Sequence, residues 1–115
     1  MSQSKEKLYE GMFIISARLS EEARGKAIER IEKDITDRGG DVKKKHDFER
    51  RRLAYEIDGH KEGCYYVLYF TLKADLINEL WGEWHLNEDL LRYMTLGADR
   101  VQEEKIEFKP ITIAQ

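Results

Sequence analysis

The stretch EGCYYVLYF, residues 62 to 70, limits what this chain can fold into more than any other. It is too short for a typical helix, rich in aromatic and β-branched residues, and it reads as a strand. Side chains alternate along a strand, so Cys64, Tyr66, Leu68 and Phe70 share one face while Gly63, Tyr65, Val67 and Tyr69 share the other. Neither face is polar, although 37% of the chain is charged. Such a strand belongs inside a sheet, with one face under a second layer and the other face open to a partner.

The flanking segments supply that layer. LYEGMFIIS, residues 8 to 16, reads as the first strand. Ser20 is a good N-cap, Glu21 and Glu22 place negative charge in a first helical turn, and Ala23, Ala27, Ile28, Ile31 and Ile35 recur at helical spacing until Gly39 and Gly40 end the helix. From Asp41 to Ile57 the alternation slips. Val42 and Phe48 have one parity and Leu53, Tyr55 and Ile57 the other, which predicts a bulge or bend between Phe48 and Leu53. Asp58-Gly59 marks a hairpin turn into the aromatic strand. Leu76, Ile77, Leu80, Trp81 and Trp84 form the apolar stripe of a second helix with Asp75 as its expected N-cap, and a last strand runs from about Asp89 to Leu96.

Strand, helix, strand, strand, helix, strand is the order of two split βαβ units. With right-handed crossovers it gives an α+β, ferredoxin-like βαββαβ sandwich: a four-stranded antiparallel sheet with two helices on one face. The 115 residues suffice for one such domain, expected over 1–97, with 98–115 as a charged tail whose apolar positions are Ile106, Phe108, Ile111 and Ile113. No run approaches the roughly 18 to 20 apolar residues of a membrane helix, and MSQSKEK has no secretory apolar segment, so a cytoplasmic location is expected.

Charge is unevenly spread. The net charge is −3, yet KKKHDFERRR, residues 43 to 52, carries six Lys or Arg against two acids, a local +4 that leaves −7 for the rest. A charge run is commonly a solvated face; concentrated at one edge of a sheet, it is also a phosphate-contacting surface. Catalysis has little support. His46, His60 and His85 lack metal-ligand spacing and fit surface or hairpin positions, no glycine-rich phosphate cradle is present, and Cys64 lies inside a packed strand. No cofactor or metal is expected, and the chain is expected not to be an enzyme. The central strand imitates part of an RNA-recognition motif through Gly63, Tyr66, Val67 and Tyr69, but Cys64 stands where the first stacking aromatic belongs.

Four features together carry a family resemblance: Tyr9-Glu10 in strand one; Arg51-Arg52-Leu53-Ala54-Tyr55 with Ile57 beyond; a Gly-x-Tyr-Tyr-Val-Leu-like strand over 63 to 68; and Leu86 to Met94, LNEDLLRYM, entering the last strand. In this order they resemble the sixth protein of the bacterial small ribosomal subunit. The resemblance implies a ribosome-associated protein that binds the central domain of small-subunit ribosomal RNA as a heterodimer with the eighteenth small-subunit protein. Arg51 and Arg52 are similar to that family's basic pair and Arg92 to the arginine of its last strand, and Tyr9, Tyr55 and Tyr66 are expected to shape the sheet and the partner surface. Glu49 and Glu56 depart from the glycine and proline common there.

Residues and resemblance lead to one mechanism. Lys43, Lys44, Lys45, Arg50, Arg51, Arg52 and Arg92 are the expected phosphate contacts, releasing counterions, while an open apolar sheet face docks the protein partner. The rival reading is a self-associating ferredoxin-like regulatory module that binds a small metabolite; it accounts for an apolar face but not for the basic cluster. An acylphosphatase-like domain is a third reading, opposed by SARLSEEA after strand one, which lacks the phosphate loop.

Overall fold

A computed structural model describes residues 5–104. The elements follow in the order β1 (Glu6–Ser16), α1 (Glu21–Thr36), β2 (Asp41–Ile57), β3 (His60–Lys73), a 3-10 turn (Ala74–Leu76), α2 (Ile77–His85) and β4 (Leu90–Gly97). All pairings are antiparallel and the spatial order is β2-β3-β1-β4, so the aromatic strand is central and β2 lies at a margin. The apolar tail positions Ile106, Phe108, Ile111 and Ile113 lie outside the described residues. No helix among the described residues is long and apolar enough to cross a membrane.

Both helices pack on one face of the sheet. Ala27, Ile28, Ile31 and Ile35 of α1 and Ile77, Leu80 and Trp84 of α2 meet Phe13, Ile15, Cys64, Tyr66, Leu68, Phe70 and Leu72 from the strands. Trp84 is fully buried, its ring edge-on to Phe13 at 4.9 Å, an arrangement aromatic quadrupoles favour. The Ser20 hydroxyl accepts from the Ala23 amide at 3.1 Å, the expected N-cap of α1. Asp75 does not cap α2: it lies within the 3-10 turn, and Leu76 takes the cap position without a side-chain bond. Trp81 is 37% exposed at the rim, so the buried stripe of α2 is narrower than its sequence suggests.

The expected slip in β2 is present but starts earlier. Lys43 is an extra residue between the pairs Val42–Phe70 and Lys44–Tyr69, Phe48 is another between Asp47–Tyr66 and Glu49–Tyr65, and pairing shifts again between Arg52 and Ile57. Glu49, beside the second bulge, has φ +65° and its amide donates to Asp47 Oδ1 at 2.7 Å. Each extra residue turns the following side chains to the other face. Val42 therefore packs with the helix-side core and Phe48 with the opposite side, although they share a parity.

The face without helices is covered only in part: Leu96, in register with Glu10 and Tyr69, is 49% exposed on it, and Met12, Leu91 and Met94 are half-buried. Past its bulges β2 brings Leu53 and Ile57 over Ile14 and Tyr65, making a second small core in which all four are at most 7% exposed. The chain leaving β4 then crosses this face. Ala98 donates to the Leu8 carbonyl at 2.9 Å on β1, and four residues later the Gln102 carbonyl lies 2.7 Å from Nε2 of His46 on β2. His46 is 6% exposed under this strap. It is therefore not the surface histidine its polar neighbours suggest.

Candidate nucleic-acid interface

Six of the seven expected cations stand on the marginal strand β2, and alternation across its bulges divides them between faces. Lys45 pairs with Leu68 and reaches Glu32 of α1 at 3.4 Å, on the helix side. Lys44, opposite Tyr69, and Arg51, opposite Gly63, belong to the face crossed by the strap. Several are engaged within the chain. Lys43 meets Asp41 at 2.7 Å, and this carboxylate raises the Lys43 ammonium above its ordinary pKa. Arg50 binds Glu62 through Nη2 at 2.7 Å, and Arg51 Nε donates to the Phe48 carbonyl at 2.9 Å. Arg52 is exposed and has no ion pair with another described residue.

Arg92 is not gathered with these cations. It sits half-buried on β4, its Nη1 donating to the Leu91 carbonyl at 2.8 Å. The register nevertheless sets Glu49, Tyr65, Ile14 and Arg92 in one row across the four strands. Cations thus flank both margins of one end of the sheet, with the Ile14, Leu53, Ile57 and Tyr65 cluster between them. The LNEDLLRYM stretch supports the β4 side: Asn87 is buried in the turn after α2, its Oδ1 accepts from the Asp89 amide at 3.0 Å, and the Asp89 carbonyl accepts from Ser16 at 2.9 Å.

Two of the three tyrosines expected to form a partner surface do not reach a surface. Tyr66 is 4% exposed among the helix-side core, and Tyr9 is 8% exposed, stacked on Phe70 at 5.5 Å. Their parity places them under the helices, where they shape the sheet from within. Tyr55 differs: it is 41% exposed.

Three contributors have no role assigned from the sequence. Arg18 Nη2 donates to the Gly59 carbonyl at 2.9 Å and ties the hairpin tip to the start of the first helix. Lys61 shares a shallow cleft with Arg52 and Tyr55. Its place there follows from the two-residue turn, a signal available in Asp58-Gly59. Glu10 accepts from the Tyr69 hydroxyl at 2.5 Å beneath the strapped face, and no local pattern announces that contact.

Comparison with known proteins identifies the fold and the family. The family model described as Ribosomal protein S6 matches residues 8–96. The small ribosomal subunit protein bS6 of Protochlamydia amoebophila is 59% identical over 111 residues, 96% of each chain, and that of Chlamydia caviae is 53% identical over 103 residues, 90% of this chain and 92% of the other. The crystal structure of 30S ribosomal protein S6 from Thermotoga maritima superposes with a TM-score of 0.77 at 35% identity, covering 82% of this chain and 89% of that one. The chain belongs to the ribosomal protein S6 family.

Proposed function

We propose that this protein, a structural constituent of the small ribosomal subunit, binds the central domain of small-subunit ribosomal RNA together with the eighteenth small-subunit protein, in the cytoplasm and without catalysis. The observation that carries this reading is the concentration of six cations on the marginal strand of an otherwise acidic chain. Phosphate neutralisation by Lys and Arg releases counterions and gives affinity with little sequence preference. Lys43, Lys45 and Arg50 already face carboxylates at 3.4 Å or less, so each must exchange an internal acid for a phosphate. Lys44 and Arg51 add positive charge on the strapped face, Arg52 at the exposed end of β2 and Arg92 at the opposite margin of the sheet.

The internal pairing and the net charge of −3 support weak binding by the protein alone and tight binding once a partner adds its own charge. The apolar face that both a protein partner and the rival self-associating module would use is narrowed by Leu53, Ile57 and the strap, and the basic cluster is what favours the RNA-binding reading over the rival. Fluorescence anisotropy of a labelled central-domain RNA fragment, titrated with and without the partner at several salt concentrations, tests the reading. Tight, steeply salt-dependent binding only with the partner is expected. Tight, salt-insensitive binding by the isolated protein, or no binding in either condition, would overturn it.

A further inference from the structure

We propose that Tyr55, in the cleft it shares with Arg52 and Lys61, is a stacking platform for one unpaired nucleobase of the bound RNA. This rests on the RNA-binding reading above and assigns it a contact of a different physical kind. Tyr55 lies on β2 between Leu53, 7% exposed, and Ile57, 4% exposed, yet is itself 41% exposed. Leu53 and Ile57, two positions to either side, anchor the strand to the second core while Tyr55 itself stays partly at the surface, near Tyr65. The cleft beside it, about 200 Å³, is lined by Arg52, Leu53, Ala54, Tyr55, Glu56 and Lys61.

The composition of that cleft selects the occupant. Every nucleobase offers a flat π face, and stacking on an exposed tyrosine is indifferent to base identity. A base arrives attached to a phosphate, and Arg52 and Lys61 stand ready for it; neither forms an ion pair with another described residue, whereas the neighbouring Arg50 is held by Glu62. Glu56 is the one carboxylate lining the cleft, leaving a net positive rim. An apolar anchor of a protein partner would find little here, since Leu53 is already buried and Ala54 is small.

The test uses the central-domain RNA fragment carrying 2-aminopurine at its unpaired positions in turn, bound by the full-length protein with its partner across a salt series. Wild type is expected to change the emission of at least one probe. Tyr55→Leu should abolish that change and weaken binding roughly tenfold to a hundredfold with the salt slope unaltered, because stacking releases no counterions. Tyr55→Phe keeps the ring and should retain both signals, which separates stacking from a folding defect. Arg52→Ala and Lys61→Ala should each lower the slope by roughly one unit.

RNA affinity of Tyr55→Leu within twofold of wild type, at unchanged slope, would overturn the stacking site and leave the phosphate reading intact. Weakened association of Tyr55→Leu with the partner in the absence of RNA would overturn it in favour of a protein contact. If wild type binds no RNA with or without the partner, both readings fall together.

Discussion

A β-carbon added to Gly63 would run into Cγ2 of Ile14, with Leu53 Cδ2 only 3.3 Å away. The absence of a side chain at Gly63 is what allows β2 to lay Leu53 onto β1 and β3, closing the second core. Overpacking a finished core typically costs about 1–3 kcal/mol. Gly63→Ala should lower stability by that amount in chemical denaturation, and a melting temperature unchanged from wild type would show that the strands part easily.

Glu49 occupies the left-handed region at φ +65°, where a β-carbon costs roughly 1–2 kcal/mol. Glycine pays no such strain but adds freedom to the unfolded chain, worth about 0.4–1 kcal/mol. Glu49→Gly is therefore expected to be neutral or stabilising by up to about 1 kcal/mol. Glu49→Val, β-branched at the same angle, should destabilise by about 1–2 kcal/mol. Equal stabilities for the two variants would mean that the bulge simply relaxes.

Burial first, and then its hydrogen bond to Glu10, push the Tyr69 hydroxyl up to about 12 from an ordinary value of 10.0. The folded state therefore holds this proton more tightly than the unfolded state does. The resulting stability is fully present below pH 10 and is lost as the pH rises towards 12, by up to about 2–3 kcal/mol. Denaturation curves between pH 9 and 12 should show this fall in wild type and a shallower one in Tyr69→Phe. Parallel profiles would remove Tyr69 as the source.

Arg51 and Arg92 stand on β2 and β4, at opposite margins of the sheet. If each neutralises one phosphate, Arg51→Ala and Arg92→Ala should each lower the salt slope of RNA binding by roughly one unit and weaken binding evenly across sequences. A lower melting temperature with an unchanged slope would instead assign them structural roles.

The Gln102 carbonyl can only accept, so His46 carries its proton on Nε2 and donates to the strap. Removing that donor frees residues 99–104 to leave the face, while Ala98 stays bonded to Leu8. Arg100 is exposed on the strap, and trypsin should cleave after it several-fold faster in His46→Ala than in wild type. An identical cleavage rate would show that the strap is held by other contacts.

Much of this architecture was legible because its signals are local. Ser20 with its two acids, the spacing from Ala27 to Ile35 and the Asp58-Gly59 pair, with φ +48° and +81°, each act within a few residues. Alternation paired Tyr66 with Cys64 and Leu68 correctly but could not tell which face the helices would cover, and so two core tyrosines passed for surface ones. The early bulge at Lys43 was invisible because a second one at Phe48 follows it, and two parity changes cancel. His46 was misjudged because what buries it lies 56 residues away. The cations were found by composition; their division between faces required the bulges, and Lys61 required the hairpin register.

A strand at the margin of a sheet carries a row of backbone donors and acceptors on which another chain can build, and β2, at 17 residues, is a long one. Register shifts interrupt that row at Lys43, at Phe48 and again beyond Arg52, and its side chains include six cations. A second copy approaching this margin would meet a backbone out of step with its own and a like charge. The irregularities that hide the strand's register are thus also what keeps two copies from zipping together edge to edge and starting an aggregate.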